Sequence, residues 1–334
     1  MTVNRQIVVR ELPKGALNPD HFEMRMAAMP EAPEDGAVIR TILMSTDAAN
    51  RTWMQGATYR EAIKAGDVMH CYAIGEVVES NSSGFAVGDV VGAEAGWAEY
   101  CAIPTRHLRK LPDMRPLTHL LSAYGIAGLT AHHGLLSVGK PAKGETVVVS
   151  AAAGSVGMFV GQIAKIAGCR AVGIAGGAEK CRWVVDELGF DACVNYRESG
   201  WHRELKAACP DGIDVYFDNV GGPVLETVLF RMNDKGRVVC CGAVSQYDSG
   251  TPVGPRNLPG MIVVKRLRME GFIVFDFPDE TPKALQNLKD WVESGQITVV
   301  EDIVEGLENA PAALIGLLAG ENRGKRMVRV APDP

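Results

Sequence analysis

One segment constrains the fold of this chain more than any other: an apolar strand that runs into a turn of small residues and then into a helix. It reads Val147-Val148-Val149-Ser150-Ala151-Ala152-Ala153-Gly154-Ser155-Val156-Gly157. The first N–H groups of a helix have no partner within the helix and carry partial positive charge, so such a turn can bind a pyrophosphate. Ala152 stands where the dinucleotide fingerprint has its first glycine, so the turn alone also fits a segment that serves only packing.

From this turn onward, short apolar strands alternate with helices. The alternation predicts an α/β fold with a parallel, doubly wound sheet. We predict strands at 146–151, 170–175, 192–194, 213–217, 236–241 and 269–275. We predict helices at 156–167, 178–188, 200–208, 222–231 and 281–294. The proline-rich stretch from Ser245 to Gly260 is predicted as a long functional loop, because structureless segments of that length are uncommon in compact domains.

The residues on either side of the alternating region have a different pattern. Roughly the first 120 residues contain short strands, such as 37–44 and 72–79, separated by turn residues, which predicts a β-rich domain. After residue 296 the sequence predicts a strand at 297–303, a helix at 308–318 and a last strand at 325–330. We therefore predict that the C-terminal tail returns to the first domain.

The end of the second strand bears on which dinucleotide is bound. NAD sites usually place Asp or Glu about 20 residues after the glycines, where it bonds the ribose 2′-hydroxyl. Here that strand ends in Gly176-Gly177-Ala178, and Lys180 follows shortly after. The missing carboxylate and the nearby cation favour a 2′-phosphate and therefore NADP. The spacing alone also fits Lys180 as a solvated surface residue.

Charge and cysteine usage exclude other classes. Lys and Arg total 34 against 40 Asp and Glu, a net charge of −6, whereas a nucleic-acid binder needs a basic surface. The sequence begins without the long apolar segment of a signal peptide, and we predict no membrane partner. The eight cysteines form no CxxC pair, which is typical of reduced core cysteines in the cytoplasm.

The sequence also disfavours a metal site and a serine hydrolase. His132 and His133 are adjacent, so on a helix their rings point about 100° apart, and we predict no metal site. A serine hydrolase built on Ser155 would need a later acid and histidine, and His202 is the only histidine that follows.

Several further segments, spread over nearly the whole chain, form a recognisable set. They are Gly128-Leu129-Thr130-Ala131, Ala151 to Gly157, Gly161-Gln162-Ile163-Ala164-Lys165, Gly189-Phe190-Asp191, Asn195-Tyr196, Phe217-Asp218-Asn219-Val220-Gly221-Gly222, Cys241-Gly242-Ala243, Met269-Glu270-Gly271-Phe272-Ile273-Val274 and Gly320-Glu321-Asn322-Arg323-Gly324-Lys325. The set resembles that of the zinc-independent medium-chain dehydrogenase/reductases, in the branch of the prostaglandin reductases, leukotriene B4 12-hydroxydehydrogenase and plant alkenal double-bond reductases.

The resemblance implies a GroES-like, β-rich catalytic domain made of residues 1–124 and 297–334, with a Rossmann domain at 125–296 inserted between them. It implies NADPH as cofactor and a homodimer formed through the last Rossmann strand near residues 267–275. Zinc-dependent relatives carry Gly-His-Glu where this chain reads Ala73-Ile74-Gly75-Glu76-Val77, so the resemblance also implies a metal-free site.

The resemblance further implies roles for individual residues. It implies that the pyrophosphate is bound by Gly154, Ser155, Val156 and Gly157. It implies that the adenosine 2′-phosphate is bound by Lys180 and Tyr196. The ligands of the rest of the cofactor are Asn219, Cys241, Gly242, Ala243, Val244, Ser245, Gln246, Tyr247, Phe272, Ile273, Val274 and Asn322. Tyr247 matches a tyrosine proposed as the proton donor in the family, and it also fits an aromatic that only packs on cofactor or substrate.

One departure from the family lies in the early segment. Relatives usually read Asp-Pro-Tyr-Met-Arg, whereas this chain reads Asp47-Ala48-Ala49-Asn50-Arg51 and lacks the large aromatic. We therefore predict a wider or more polar substrate pocket, lined by Asn50, Trp53 and Tyr59, although core packing explains Trp53 equally well.

The leading hypothesis is an NADPH-dependent reductase of α,β-unsaturated ketones or aldehydes. This reaction adds hydride at the β-carbon and a proton at the α-carbon, and hydrogen-bond donors stabilise the charge that develops on the carbonyl oxygen. The alternatives are a quinone reductase of the same fold, a zinc-free dehydrogenase of other carbonyl or alcohol substrates, and a non-catalytic NADPH-binding protein.

Overall fold

The structure, a computed structural model, describes residues 3–58, 60–248 and 253–334. The described residues form two compact units. The first comprises residues up to 121 together with 301–321 and 326–334, and the second comprises 122–300 together with 322–325. Tyr59, a predicted lining residue of the substrate pocket, lies outside the described residues.

The secondary structure consists of strands, helices and a few short 3₁₀ turns, given below in chain order. The strands are β1 (Val3–Val9), β2 (Phe22–Ala28), β3 (Gly36–Ser45), β4 (His70–Ser80), β5 (Val90–Gly96), β6 (Tyr100–Pro104), β7 (Leu108–Lys110), β8 (Thr146–Ser150), β9 (Arg170–Ala175), β10 (Ala192–Asn195), β11 (Ile213–Asp218), β12 (Met232–Cys240), β13 (Arg268–Gly271), β14 (Glu301–Glu305) and β15 (Lys325–Arg329). The helices are α1 (Ala49–Trp53), α2 (Ile126–His132), which continues as a π-helical turn (His133–Gly139), α3 (Gly157–Ile166), α4 (Ala178–Asp186), α5 (Trp201–Ala208), α6 (Gly222–Leu229), α7 (Val244–Tyr247), α8 (Leu258–Lys265), α9 (Thr281–Glu293) and α10 (Ala310–Leu318).

The first unit is rich in strands, which confirms the β-rich domain. A seven-stranded sheet has the order β14-β15-β3-β4-β5-β7 with β6 also paired to β3, and β1 and β2 form a separate antiparallel pair. Its core is apolar and includes Trp97, whose ring stacks on Phe22 with 5.5 Å between centroids.

The second unit is built on a parallel sheet of six strands in the order β10-β9-β8-β11-β12-β13. Apolar side chains cover both faces. Val147 and Val149 of β8 belong to one buried cluster, and Val148 belongs to a cluster on the opposite side. Each fully buried valine stabilises the fold by about 1.5–3 kcal/mol relative to an exposed one. The predicted α/β fold with a doubly wound sheet is confirmed.

Two predictions of local structure within this unit are wrong. The proline-rich stretch 245–260 is not a continuous loop, because α8 begins at Leu258 with a proline inside its first turn, where the missing N–H costs nothing. The last strand stops at Gly271 rather than at residue 275. Beyond it, the Ile273 N–H donates to Asp276 Oδ2 (2.8 Å) and the chain turns into a 3₁₀ segment, Val274–Asp276.

The tail after residue 296 also differs from the expectation. Gln162 holds Thr298 through two hydrogen bonds, of 2.7 Å from the Thr298 N–H and of 3.1 Å to its carbonyl oxygen, so residues up to Val300 pack with the second unit. The strand predicted at 297–303 therefore begins only at Glu301. Residues 322–325 likewise pack with the second unit, although the family resemblance implies that all of 297–334 belongs to the first domain.

Candidate active site

The predicted cofactor ligands follow the carboxyl ends of strands in the parallel sheet. The turn from Ala151 follows β8, residue 176 follows β9, Asn219 follows β11 and Cys241 follows β12. The ends of parallel strands meet at one edge of a sheet, and ligands of such sheets bind in the crevice outside that edge. The fold therefore brings these segments to the same edge.

The turn after β8 has the shape that a pyrophosphate needs. Ala151 has a positive φ of 51°, and the Gly154 N–H donates to the Ala151 carbonyl (2.9 Å), which folds the chain back on itself. A Cβ atom at Gly157 would lie 2.2 Å from the Ala151 oxygen, so only glycine allows α3 to begin this close to the strand. Within the described residues, the N–H groups of Val156 and Gly157 have no hydrogen-bond acceptor. These groups fit an anion at the start of α3.

A buried carboxylate, which sequence reasoning did not single out, fixes the loop after β11. Asp218 Oδ1 accepts hydrogen bonds from the N–H groups of Gly221 (2.8 Å) and Val220 (3.0 Å) and from the Tyr216 hydroxyl (2.8 Å). Burial raises the pKa of this carboxyl, while the hydrogen bonds oppose that rise. The signal in the sequence was an acidic residue at the end of an apolar strand.

The loops after β8, β11 and β12 are tied together by hydrogen bonds. The Asn219 side-chain amide donates to the Ser150 carbonyl (2.8 Å), and the Asn219 carbonyl accepts from the Val244 N–H (3.2 Å). The Cys241 N–H donates to the backbone oxygen of Asp218 (2.9 Å). Asn219 and the start of the segment 241–247 therefore lie together, as predicted cofactor ligands should.

Tyr247 ends the short helix α7. Its phenol oxygen accepts a hydrogen bond from the Ala243 N–H (3.1 Å). Burial raises the pKa of Tyr247, so the phenol keeps its proton at neutral pH. A protonated phenol oriented by a backbone donor has the chemistry that a proton donor requires.

Lys180 and Tyr196 lie near the end of β9. Lys180, in α4, donates from Nζ to the Asn322 carbonyl (2.5 Å), and Asn322 is itself a predicted cofactor ligand. The Gly177 N–H donates to Asn195 Oδ1 (2.7 Å), which joins the start of α4 to the end of β10. Tyr196, the residue after β10, is 42% exposed.

The side chains of the segment 272–274 differ in how deeply they are buried. Phe272 packs inward, edge to face with Phe217 at 6.3 Å between ring centroids, whereas Ile273 is exposed. Their contact with a cofactor stays a prediction.

The predicted pocket residues Asn50 and Trp53 belong to α1 of the first unit and are both buried. The Asn50 amide oxygen accepts from the Asp47 N–H (2.7 Å), and the amide nitrogen donates to the His70 carbonyl (2.8 Å), so both ends of the amide already have protein partners. The guanidinium of Arg60 lies 4.3 Å from the centroid of the Trp53 ring. A substrate role for Asn50 and Trp53 stays a prediction.

No three His, Cys, Asp or Glu side chains gather into a possible metal site in the part of the chain that the structure describes. Over residues 3–58, 60–248 and 253–334, no helix is both long and apolar enough to cross a bilayer.

Comparison with known proteins identifies the family. The family model for the N-terminal domain of oxidoreductase matches residues 5–111, and the model for zinc-binding dehydrogenase matches residues 155–290. The NADPH-dependent curcumin reductase of Escherichia coli (strain K12) is 40% identical over 338 residues, which cover 99% of this chain and 98% of the relative. The 2-alkenal reductase (NADP(+)-dependent) of Nicotiana tabacum is 39% identical over 339 residues, with coverage of 99% and 98%.

A solved structure agrees with these relatives. The crystal structure of CurA in complex with NADPH from Vibrio vulnificus superposes with a TM-score of 0.94 at 37% identity, covering 98% of this chain and 100% of the other. The resemblance seen in the sequence motifs is confirmed, and the chain belongs to the zinc-independent medium-chain dehydrogenase/reductases, in the branch of the alkenal double-bond reductases.

Proposed function

We propose that the protein is an NADPH-dependent reductase of the carbon–carbon double bond of α,β-unsaturated ketones or aldehydes. The observation that carries the proposal is similarity over nearly the whole chain: relatives that are 40% and 39% identical over 99% of it are named NADPH-dependent curcumin reductase and 2-alkenal reductase. The phosphate-binding turn and Lys180 support the same cofactor, because the end of β9 carries no carboxylate to bind a ribose 2′-hydroxyl.

The residues at the sheet edge have separate tasks in this proposal. The N–H groups at the start of α3 hold the pyrophosphate, Lys180 and Tyr196 bind the 2′-phosphate, and Asn219 lies beside the segment that follows β12. When bound, the reduced nicotinamide supplies a hydride to the β-carbon of the substrate. Tyr247 donates its phenol proton to the α-carbon and recovers a proton from solvent.

We further propose that the reaction proceeds without a metal. Charge that develops on the carbonyl oxygen of an enone needs hydrogen-bond donors, whereas alcohol oxidation needs a Lewis acid or a base for the oxygen. The segment 73–77 supports this, because it contains no histidine where zinc-dependent relatives have one.

A substrate panel tests the proposal. The purified protein is mixed with NADPH and with enones, enals, simple aldehydes or quinones, and loss of NADPH absorbance is followed together with product analysis. We expect one NADPH consumed per saturated ketone or aldehyde formed, and no change after treatment with a chelator. Turnover of quinones alone would favour the quinone reductase, an allylic alcohol as product would contradict double-bond reduction, and stoichiometric zinc would contradict the metal-free site.

Replacing Lys180 by alanine tests the cofactor assignment. Loss of a charge-assisted contact with a phosphate should raise the Kd for NADPH by about tenfold to hundredfold. The Kd for NADH should change little, since NADH has no 2′-phosphate. Tryptophan fluorescence quenching measures both constants, and Lys206→Ala, on the exposed side of α5, is the matched control. Equal losses for both nucleotides would contradict the assignment of Lys180.

We also propose a homodimer located in the cytoplasm. Strand β13 is at the edge of the parallel sheet, and apolar side chains nearby are exposed, with Val263 73% and Val264 70% exposed on α8. A second copy would cover such a surface. The eight cysteines are all free, which supports a reducing compartment.

A further inference from the structure

A guanidinium occupies the place where NAD-specific proteins carry a carboxylate. Strand β9 ends at Ala175, and Gly176 follows with no side chain. A Cβ atom built at Gly176 would lie 3.0 Å from Nε and 3.3 Å from Cζ of Arg197. The Arg197 side chain and the Tyr196 ring, whose Cε1 would lie 3.2 Å from the same Cβ atom, therefore fill the space that a side chain at position 176 would take. Sequence reasoning did not single out Arg197, although it directly follows Tyr196.

The backbone fixes this arrangement. Asn195 Oδ1 accepts hydrogen bonds from the N–H of Gly177 (2.7 Å) and from the N–H of Arg197 (3.1 Å), so one side chain clamps the two chain segments together. The Tyr196 N–H donates to the Ala175 carbonyl (3.2 Å), which continues the pairing of β10 with β9 past the end of the strands. The guanidinium carbon of Arg197 lies 6.0 Å from the centroid of the Tyr196 ring. Arg197 thus lies beside Tyr196, which binds the 2′-phosphate in the proposed function, and Asn195 links it to the start of α4, the helix that carries Lys180.

The carboxylates that adjoin Lys180 and Arg197 in the sequence both have protein partners. Arg323 forms an ion pair with Glu179, and Glu198 accepts a hydrogen bond from the Asn195 side-chain amide (3.2 Å). A phosphate monoester carries between one and two negative charges at neutral pH, more than the single ammonium of Lys180 balances. A guanidinium adds a planar pair of donors that matches two phosphate oxygens, which a lysine cannot supply.

We propose that Arg197 is a second cationic ligand of the adenosine 2′-phosphate, and that the pair Gly176 and Arg197 sets the preference for NADPH over NADH. The inference rests on the proposed function for the identity of the nucleotide. Gly176 contributes by lacking a side chain, which leaves the guanidinium over the end of β9, and Arg197 contributes the charge.

The test is calorimetric binding of NADPH, NADH and adenosine 2′,5′-bisphosphate to the full-length protein, which requires no turnover. Arg197→Ala should raise the Kd for NADPH and for the bisphosphate by about tenfold to hundredfold and change the Kd for NADH by less than about threefold. The control Arg203→Ala, also an exposed arginine, should leave all three constants unchanged. Gly176→Asp places a carboxylate against the guanidinium. Like Arg197→Ala, this variant should lower the preference for NADPH over NADH.

The outcomes separate this inference from the proposed function. A wild-type protein that binds NADH as tightly as NADPH would overturn both. A wild-type preference for NADPH that survives in Arg197→Ala would overturn only the role of Arg197. Equal weakening of NADPH and NADH in Arg197→Ala would also overturn it, because a purely structural role predicts that result.

Discussion

Replacing Tyr247 by phenylalanine is expected to lower the turnover of an enone by about 10²-fold or more, the contribution that a positioned general acid makes. The substitution keeps the aromatic ring and removes only the hydroxyl. That hydroxyl also accepts the hydrogen bond from Ala243, so the Kd for NADPH should rise, but by less than about tenfold, since a neutral hydrogen bond contributes about 0.5–1.5 kcal/mol. Stopped-flow kinetics with saturating NADPH and a fluorescence titration measure the two quantities separately.

Two comparisons make this prediction specific. Tyr100→Phe, in β6 of the first unit, changes the same chemical group at a place that the mechanism does not use. The slow variant should also show a different dependence of rate on deuterated solvent, because the proton at the α-carbon then comes from water. Unchanged turnover in Tyr247→Phe would mean that Tyr247 only packs on the cofactor or substrate and that the donor is another group.

Replacing Gly157 by alanine is expected to weaken NADPH binding at least about hundredfold, because the added methyl group forces the turn apart at a cost of about 1–3 kcal/mol and displaces the pyrophosphate donors. The Cβ atom would meet the Ala151 oxygen at 2.2 Å and the Ala152 Cα at 2.9 Å, and these are backbone atoms that cannot rotate away. The temperature of thermal unfolding should fall by several degrees for the same reason. Isothermal calorimetry and differential scanning calorimetry measure both effects.

Gly15→Ala is the matched control, because a Cβ atom at Gly15 would meet nothing within 4 Å. This variant should keep both the Kd for NADPH and the unfolding temperature of the wild type. If Gly157→Ala bound NADPH normally, the start of α3 would not be the pyrophosphate site, whatever happened to stability.

The parallel sheet was predictable because its signal is local. Strand β9 is found at 170–175, which is the predicted range. A short run of apolar residues between two helices is typical of a buried strand. The segment 297–300 was not predictable in this way. Its sequence is as apolar as a strand, but Gln162, which is 136 positions away from Thr298, holds it in the second unit. Contacts between distant parts of the chain override local propensity there.

The candidate site also combines features that the local sequence predicts with features that depend on contacts between distant residues. Small residues after β8 predicted a tight turn at the start of α3, because only such residues permit a close approach of the backbone, and the structure has that turn. The role of Asn50 in the pocket stays a prediction. Its amide bonds two backbone groups of its own unit, and no sequence pattern reveals which partner a buried amide finds. The sequence alone assigned no role to Asp218 or Arg197, because the surroundings of both depend on the strand ends that the sheet brings together.

The short return of the chain at residues 322–325 affects how this protein is assembled during synthesis. The Gly324 N–H donates to the Ala153 carbonyl (2.8 Å) in the turn after β8, and Lys180 bonds to Asn322. Residues 322–325 must therefore leave the ribosome before the nucleotide-binding unit is complete. A fragment that ends at residue 300 lacks part of that unit, so grafting the cofactor specificity of this protein onto another scaffold requires residues 322–325 in addition to 122–300.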